Sequence, residues 1–145
     1  MPIRVVVADD DVGVRSAEID LLESDGRFEI VAAVDNADDA VVAVRVHRPD
    51  IVVLDVRMPG GGLRAAQGIQ AAGVPSVVTV LSARMDAALL AELLRAGVRG
   101  VFTKGEVAGQ LPDLLARCGN GEVLLSTRAA ARGFALYVRS LTGAG

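Results

Sequence analysis

Four short apolar runs in this 145-residue chain each end in side chains equipped for chemistry. Residues 3–8 run into Asp9, Asp10 and Asp11; 51–54 into Asp55; 77–81 into Ser82; and 98–103 into Lys104. Crowded carboxylates repel and raise one another's pKa, and a divalent cation relieves that repulsion. Hard oxygen ligands without His or Cys beside them select magnesium, which prefers octahedral geometry and retains waters. A cation held by acids, next to a hydroxyl and an ammonium, leaves ligand positions suited to phosphoryl oxygens. An unperturbed aspartate ionises near pH ~3.9, so Asp55 is available as a nucleophile at neutral pH. Lysine and metal would neutralise charge on the transferred group. The pattern points to phosphoryl transfer onto an aspartate.

These groups meet only if the runs are strands of one sheet. Ile3–Ala8 is short, apolar and β-branched, and reads as a buried strand. A helix follows over Val12–Ser24, with Asp11 as its N-cap and Asp25-Gly26 as its stop. Phe28–Val34 is a second strand. Asn36 caps a helix reaching about His47, with Asp38 and Asp39 favourably placed in its first turn. The third strand is Ile51–Leu54, followed by a glycine-rich loop over 58–62 and a helix from Leu63 to Ala72. Val77–Leu81 is the fourth strand, Met85–Ala96 a helix closed by Gly97, Val98–Thr103 the fifth strand, and Glu106–Arg117 the fifth helix. Five buried strands alternating with five helices imply an α/β, flavodoxin-like fold: a parallel sheet with helices on both faces. With strand order 2-1-3-4-5, the order reverses between strands one and three. In open parallel sheets the ligand crevice lies at that reversal, beyond the carboxyl ends of the strands.

Composition supports one globular unit. Hydrophobic residues make up 52% and charged residues 23%, which excludes a disordered or fibrous chain. Residues 1–125 hold 12 basic and 18 acidic groups, a balance of −6, while 126–145 hold three arginines and no acid. Lys104 is the single lysine beside 14 arginines, so a compact ammonium is wanted at that place. One cysteine, Cys118, excludes an internal disulfide framework and fits a reducing, cytoplasmic setting. No secretory leader and no membrane-spanning run is expected. With few aromatics, the core of the first hundred residues is expected to consist of Val, Leu, Ile and Ala.

The pieces VVVADDD followed by Arg15, VVLDVRMP around Asp55, VLSA with Ser82, and GVRGVFTK ending in Lys104 stand in order across residues 3 to about 118. In that order and spacing the chain resembles a receiver domain of a two-component response regulator. The stretch LLSTR after Asn-Gly-Glu further resembles the NarL/FixJ (LuxR-type) subgroup, in which a linker leads to a helix-turn-helix domain. The resemblance implies that Asp55 is the phosphoacceptor, receiving its group from a histidine of a sensor kinase. It implies that Asp10 and Asp55 bind Mg²⁺ directly, Asp9 mainly through water, and Arg57 through its backbone carbonyl. Ser82 would hydrogen-bond the acyl phosphate, Lys104 would pair with it, and Pro59 would shape the neighbouring loop. Where members often carry Tyr or Phe in the fifth strand, as a switch partner of the hydroxyl, this chain has Val101, with Phe102 next. Gly60-Gly61-Gly62 is expected to leave the acceptor loop free.

The resemblance divides the chain into a receiver over 1–118 and a linker or helix over 119–145. The output domain would be absent, DNA would be reached only through it, and a homodimer is possible. Such a domain accepts a phosphoryl group and is not a turnover enzyme. Two other readings compete. A haloacid-dehalogenase-type phosphatase would share Asp9-x-Asp11, but Val12-Gly13 and Gly105-Glu106 do not supply its remaining residues. A pseudo-receiver acting only as a protein-interaction module is kept open by Val101. His47 reads as a dipole-complementing helix end, Cys118 as an inert thiol, and Met58 and Met85 as packing. In the tail, Phe134, Tyr137, Val138 and Leu141 share one helical face, with Arg128, Arg132 and Arg139 supplying charge.

Overall fold

The computed structural model describes residues 1–125 and 129–143. The elements run β1 (Ile3–Ala8), α1 (Val12–Asp25), β2 (Phe28–Val34), α2 (Ala37–His47), β3 (Ile51–Asp55), α3 (Gly62–Ala72) and β4 (Val77–Ser82). Then come α4 (Ala87–Arg95), β5 (Gly100–Thr103), α5 (Lys104–Val107), a 3₁₀ turn (Ala108–Gln110), α6 (Leu111–Gly119), β6 (Leu124–Leu125) and α7 (Ala129–Thr142). All strand pairs are parallel, in the order β2-β1-β3-β4-β5-β6. Among the described residues no helix is long and apolar enough to cross a membrane.

The strands are apolar on both faces because both faces are covered. β3 is buried along its whole length. In β1, Val6 and Ala8 face a core shared with α2, α3, α4 and α7. Val5 and Val7 face a second core that holds Leu22 of α1 and Leu111, Leu115 and Cys118 of α6. Alternation along one strand therefore serves two cores. Aliphatic residues dominate as expected, yet among the described residues Phe102 is the largest fully buried side chain and Phe28 is also buried. Met58 is buried and Met85 packs against the first core. Burial pushes the Cys118 thiol up to about 11, and it stays protonated at neutral pH.

Helix ends follow local chemistry. Asp11, Asn36 and Asp86 each accept the backbone N–H three residues on, at 3.0, 2.8 and 2.8 Å. Asp86 therefore starts α4 at Ala87, two residues later than the expected Met85. The expected helix over Glu106–Arg117 is divided at Ala108–Gln110. Gly109 weakens the helix there, and Pro112, lacking an N–H, fits only a first turn. His47 lies in the last turn of α2, and its carbonyl accepts Arg4 Nη1 at 2.7 Å.

Among the described residues the expected five strands are six. Leu124 and Leu125 pair with Gly100 and Val101 of β5, so β6 extends the sheet beyond β5. Two residues are too few to register as a periodic pattern. The expected apolar face of α7 is also displaced. Ala130 and Gly133 are buried and Tyr137 packs on the core, whereas Phe134, Val138 and Leu141 are 46%, 40% and 66% exposed. The cause is Gly133, which seats against Leu90 of α4 so closely that a Cβ there would meet Leu90 atoms at 2.6–2.8 Å. Ser126, Thr127 and Arg128 of the subgroup layout lie outside the described residues.

In an isolated helix Gly133→Ala would add ~1 kcal/mol of stability. Here overpacking against Leu90, at about 1–3 kcal/mol, should outweigh that gain and lower the melting temperature. Thermal unfolding of variant and wild type checks this; a higher melting temperature would show that Leu90 yields without cost.

Candidate functional site

The carboxyl ends of β1, β3, β4 and β5 deliver the site. Asp9 follows β1 and is 1% exposed, whereas Asp10 is open to solvent. Asp55 is the last residue of β3 and is buried. Lys104 follows β5 and opens α5. Its Nζ lies 3.0 Å from Asp9 Oδ2 and 3.4 Å from Asp55 Oδ1, so one ammonium bridges the ends of two adjacent strands. One oxygen from each of Asp9, Asp10 and Asp55 falls within 4.8 Å of the others. That cluster is compact enough for one cation, and an all-oxygen donor set suits a hard divalent ion. Asp11 caps α1 instead, as expected.

Backbone contacts fix the acids. Asp9 Oδ1 accepts the Asp11 N–H at 3.0 Å, and the Asp9 carbonyl accepts Arg15 Nη1 at 2.7 Å. Arg57, in the turn after β3, donates its N–H to Asp55 Oδ1 at 3.4 Å. The glycine loop beside Asp55 is tightly placed, contrary to the expected freedom. Gly60 and Gly61 adopt φ of 85° and 82°, which suit glycine. A Cβ at Gly62 would lie 2.9 Å from the Asp55 carbonyl oxygen. Pro59 anchors the loop, its carbonyl accepting the Ala37 N–H of α2 at 2.9 Å.

Ser82 is buried at the end of β4, but its hydroxyl turns into the β4–α4 connection. It donates to the Arg84 carbonyl and accepts the Arg84 N–H at 3.2 Å. Val101 is buried in the core that also holds Leu90 and Ala130. Phe102 points into the opposite core with Leu115 and Cys118, so it does not stand in for an aromatic at position 101.

The composition pattern gave no sign of Glu18. This α1 residue is only 8% exposed, and Leu22, one turn on, is buried with it. Val14, Glu18 and Leu22 stand at i, i+4 and i+8, so the signal was an acid within an apolar stripe. Burial pushes the Glu18 carboxyl up to about 8; Asp9 and Asp55 add to the rise, and Lys104 opposes it. Burial also lifts the Asp55 carboxyl, aided by Asp9, and the Lys104 charge and the Arg57 N–H only partly offset this. Burial disfavours the Lys104 ammonium, but its bond to Asp9 and the charges of Asp55, Asp9 and Glu18 outweigh it. Its pKa therefore ends above that of an ordinary lysine, and the bridge stays charged.

Residues 5–116 match the family model of the response regulator receiver domain, and the chain belongs to that family. Its relatives and structural neighbours include regulators of the NarL/LuxR type. It is 42% identical over 117 residues to a protein-glutamate methylesterase/protein-glutamine glutaminase of Haloarcula marismortui, covering 77% of this chain and 31% of that protein. It is 28% identical over 130 residues to the DNA-binding transcriptional activator DevR/DosR of Mycobacterium tuberculosis, covering 89% of this chain and 60% of that one. A LuxR-family two-component response regulator from Aurantimonas sp. SI85-9A1 superposes with a TM-score of 0.85 at 25% identity, covering 95% and 99% of the two chains. The chain thus spans less than two thirds of either curated relative.

Glu18 carries a pH signature. Below its ordinary value of 4.5 the carboxyl is neutral in both folded and unfolded chains. Between 4.5 and about 8 only the unfolded chain ionises freely, so stability falls as pH rises, then levels off. The steepest slope is about 1.4 kcal/mol per pH unit. Glu18→Gln cannot ionise, so in chelator its melting temperature should gain on wild type steadily across that window. A difference that does not vary with pH would mean that folded Glu18 is charged.

Proposed function

We propose that this chain is the phosphoacceptor module of a two-component system, with Asp55 taking a phosphoryl group from a phosphohistidine of a sensor histidine kinase. The Lys104 bridge between Asp9 and Asp55 carries this reading, because an ammonium at that point also reaches oxygens of a group attached to Asp55. The Asp55 carboxylate oxygen attacks phosphorus as the P–N bond breaks, and the departing imidazole nitrogen keeps the electron pair. Asp9, Asp10, Asp55 and the Arg57 carbonyl would hold Mg²⁺, which supplies charge neutralisation at the phosphoryl oxygens. Asp9 has both oxygens engaged by Asp11 and Lys104, in keeping with contact through water. Lys104 stabilises charge on the transferred group, and Ser82 donates to it. A hydroxyl has one proton, so Ser82 must give up the Arg84 carbonyl to do so.

Residues 1–118 carry this chemistry, and 119–145 lead towards an output domain. Similarity to a DNA-binding activator supports transcriptional output, with DNA met through that further domain. A homodimer belongs to the same reading, supported by the exposed apolar stripe of α7. The module accepts a group and does not itself turn over substrate. A reducing cytoplasm suits both the kinase partner and the single cysteine.

Acetyl phosphate with Mg²⁺ should add one phosphoryl group, read by intact mass, and Asp55→Asn should abolish it. Undiminished labelling of that variant would move the acceptor elsewhere. Lys104→Ala should bind Mg²⁺ at least as tightly as wild type, because the ammonium competes for Asp9, yet lose most phosphoryl transfer. Lost metal affinity with transfer retained would reverse the assigned roles; calorimetry and mass spectrometry separate the two.

A further inference from the structure

Helix α7 packs along α4 in an extensive contact, and its outer side stays open. Four of the nine large apolar side chains that the described residues expose lie on this one helix: Phe134, Leu136, Val138 and Leu141. Such a concentration marks an interaction surface. Phe134, Val138 and Leu141 stand at i, i+4 and i+7 and form one stripe. Going round the exposed side at 3.6 residues per turn, Arg132 and Arg139 come next and Leu136 follows them. The open face is therefore a line of two arginines with apolar residues on both flanks. Beside Leu136 and Arg139, a groove of about 600 Å³ runs between α7 and Ala88 and Leu89 of α4.

The charge on this face is not compensated within the described chain. Residues 126–145 hold three arginines and no acid, while residues 1–125 carry a balance of −6. Among the described residues neither Arg132 nor Arg139 forms an ion pair, although Asp86 and Glu92 line the same groove as Arg139. Both acids are occupied: Asp86 Oδ1 accepts the Leu89 N–H at 2.8 Å, and Glu92 Oε1 accepts Arg95 Nη2 at 2.8 Å. The molecule is polarised, an acidic body with one basic, apolar-flanked rib. A homodimer through Phe134, Val138 and Leu141 would cover the stripe and leave both arginines without an opposite charge. An anionic lipid surface meets both needs, offering hydrocarbon to the stripe and mobile phosphates to each guanidinium. Repulsion of the acidic body turns the rib toward such a surface. Because α7 is already folded on α4, binding orders no new helix.

We propose that the outer face of α7 docks the chain on an anionic bilayer surface, with Phe134, Val138 and Leu141 in the acyl boundary and Arg132 and Arg139 on lipid phosphates. The helix lies in the plane of the interface. Its arginine stems run along the apolar boundary and place their guanidinium groups among the headgroups. Bilayer and second copy exclude each other, since both need the same stripe. The proposal is independent of the phosphoacceptor chemistry and adds a location to it.

Sedimentation of the full 145-residue chain with sucrose-loaded vesicles tests it. Vesicles of equal parts phosphatidylglycerol and phosphatidylcholine should carry the chain down, phosphatidylcholine alone should not, and high salt should release most of it. Arg132→Gln and Arg139→Gln should each weaken partitioning about fivefold, and Leu141→Ser about tenfold. All three side chains are exposed, so the variants should melt with wild type and still be labelled by acetyl phosphate. A chain that stays in the supernatant with both vesicles overturns the proposal. Equal binding to both vesicles, or binding that the arginine variants do not weaken, overturns it as well. A dimer in sedimentation equilibrium that Leu141→Ser abolishes, with no vesicle binding, assigns the face to a second copy instead. Asp55→Asn should bind vesicles as wild type does, so failure here leaves the phosphoacceptor reading standing and failure of that reading leaves this one.

Discussion

Two buried carboxylates side by side on an apolar sheet need a shared positive charge, and the ammonium of Lys104 between Asp9 and Asp55 provides it. Much of the local architecture follows from that requirement. β1, β3 and β5 must be parallel and must end at one level for side chains from three strands to meet. The core beneath must be tight enough to fix those ends, hence the fully buried β3. Arg15 secures the Asp9 backbone from α1, and the glycine loop closes against the Asp55 carbonyl. A single cation bridging two acids is also replaceable. A divalent ion can assume the neutralising role and leave the lysine for an incoming anion, so the resting arrangement is already poised between two charge distributions.

Glu18 brings a third buried acid close to this pair, at an address where an aliphatic residue would cost less. Its raised pKa keeps it largely protonated at neutral pH, when it can donate to Asp9 and add no full charge. The cluster therefore balances on protonation as well as on metal. Lys104, paired with Asp9 and Asp55, has its pKa raised and stays charged at neutral pH.

The architecture was legible because its signals are local and redundant. Each apolar run of four to six residues had turn chemistry at its end, and Asp11 and Asn36 cap the helices they were expected to cap. The acid cluster was readable because four strand ends carry its members and parallel topology places those ends together. What escaped depended on contacts between distant residues. Glu18 turns inward because of how α1 lies on the sheet. The Gly60–Gly62 loop is closely packed because Ala37 and the Asp55 backbone crowd Gly60 and Gly62. Ser82 bonds to Arg84 through a turn with no characteristic composition. The inward face of α7 was misread because apolar periodicity marks what a helix could bury, while the Gly133 notch against Leu90 decides what it does bury.

The two-residue β6 has a consequence for the chain's behaviour in concentrated solution. A parallel sheet has two outer strands, and each offers unpaired backbone groups onto which another molecule can add a strand. Here one outer position falls to β6, which pairs with Gly100 and Val101 and presents too short a ladder to template growth. The other falls to β2, where Glu29 stands exposed and the pairing with β1 slips between Val5 and Val6. An irregular, charge-bearing margin on one side and a minimal one on the other leave the valine-rich interior without a long, flat edge for a neighbour to extend.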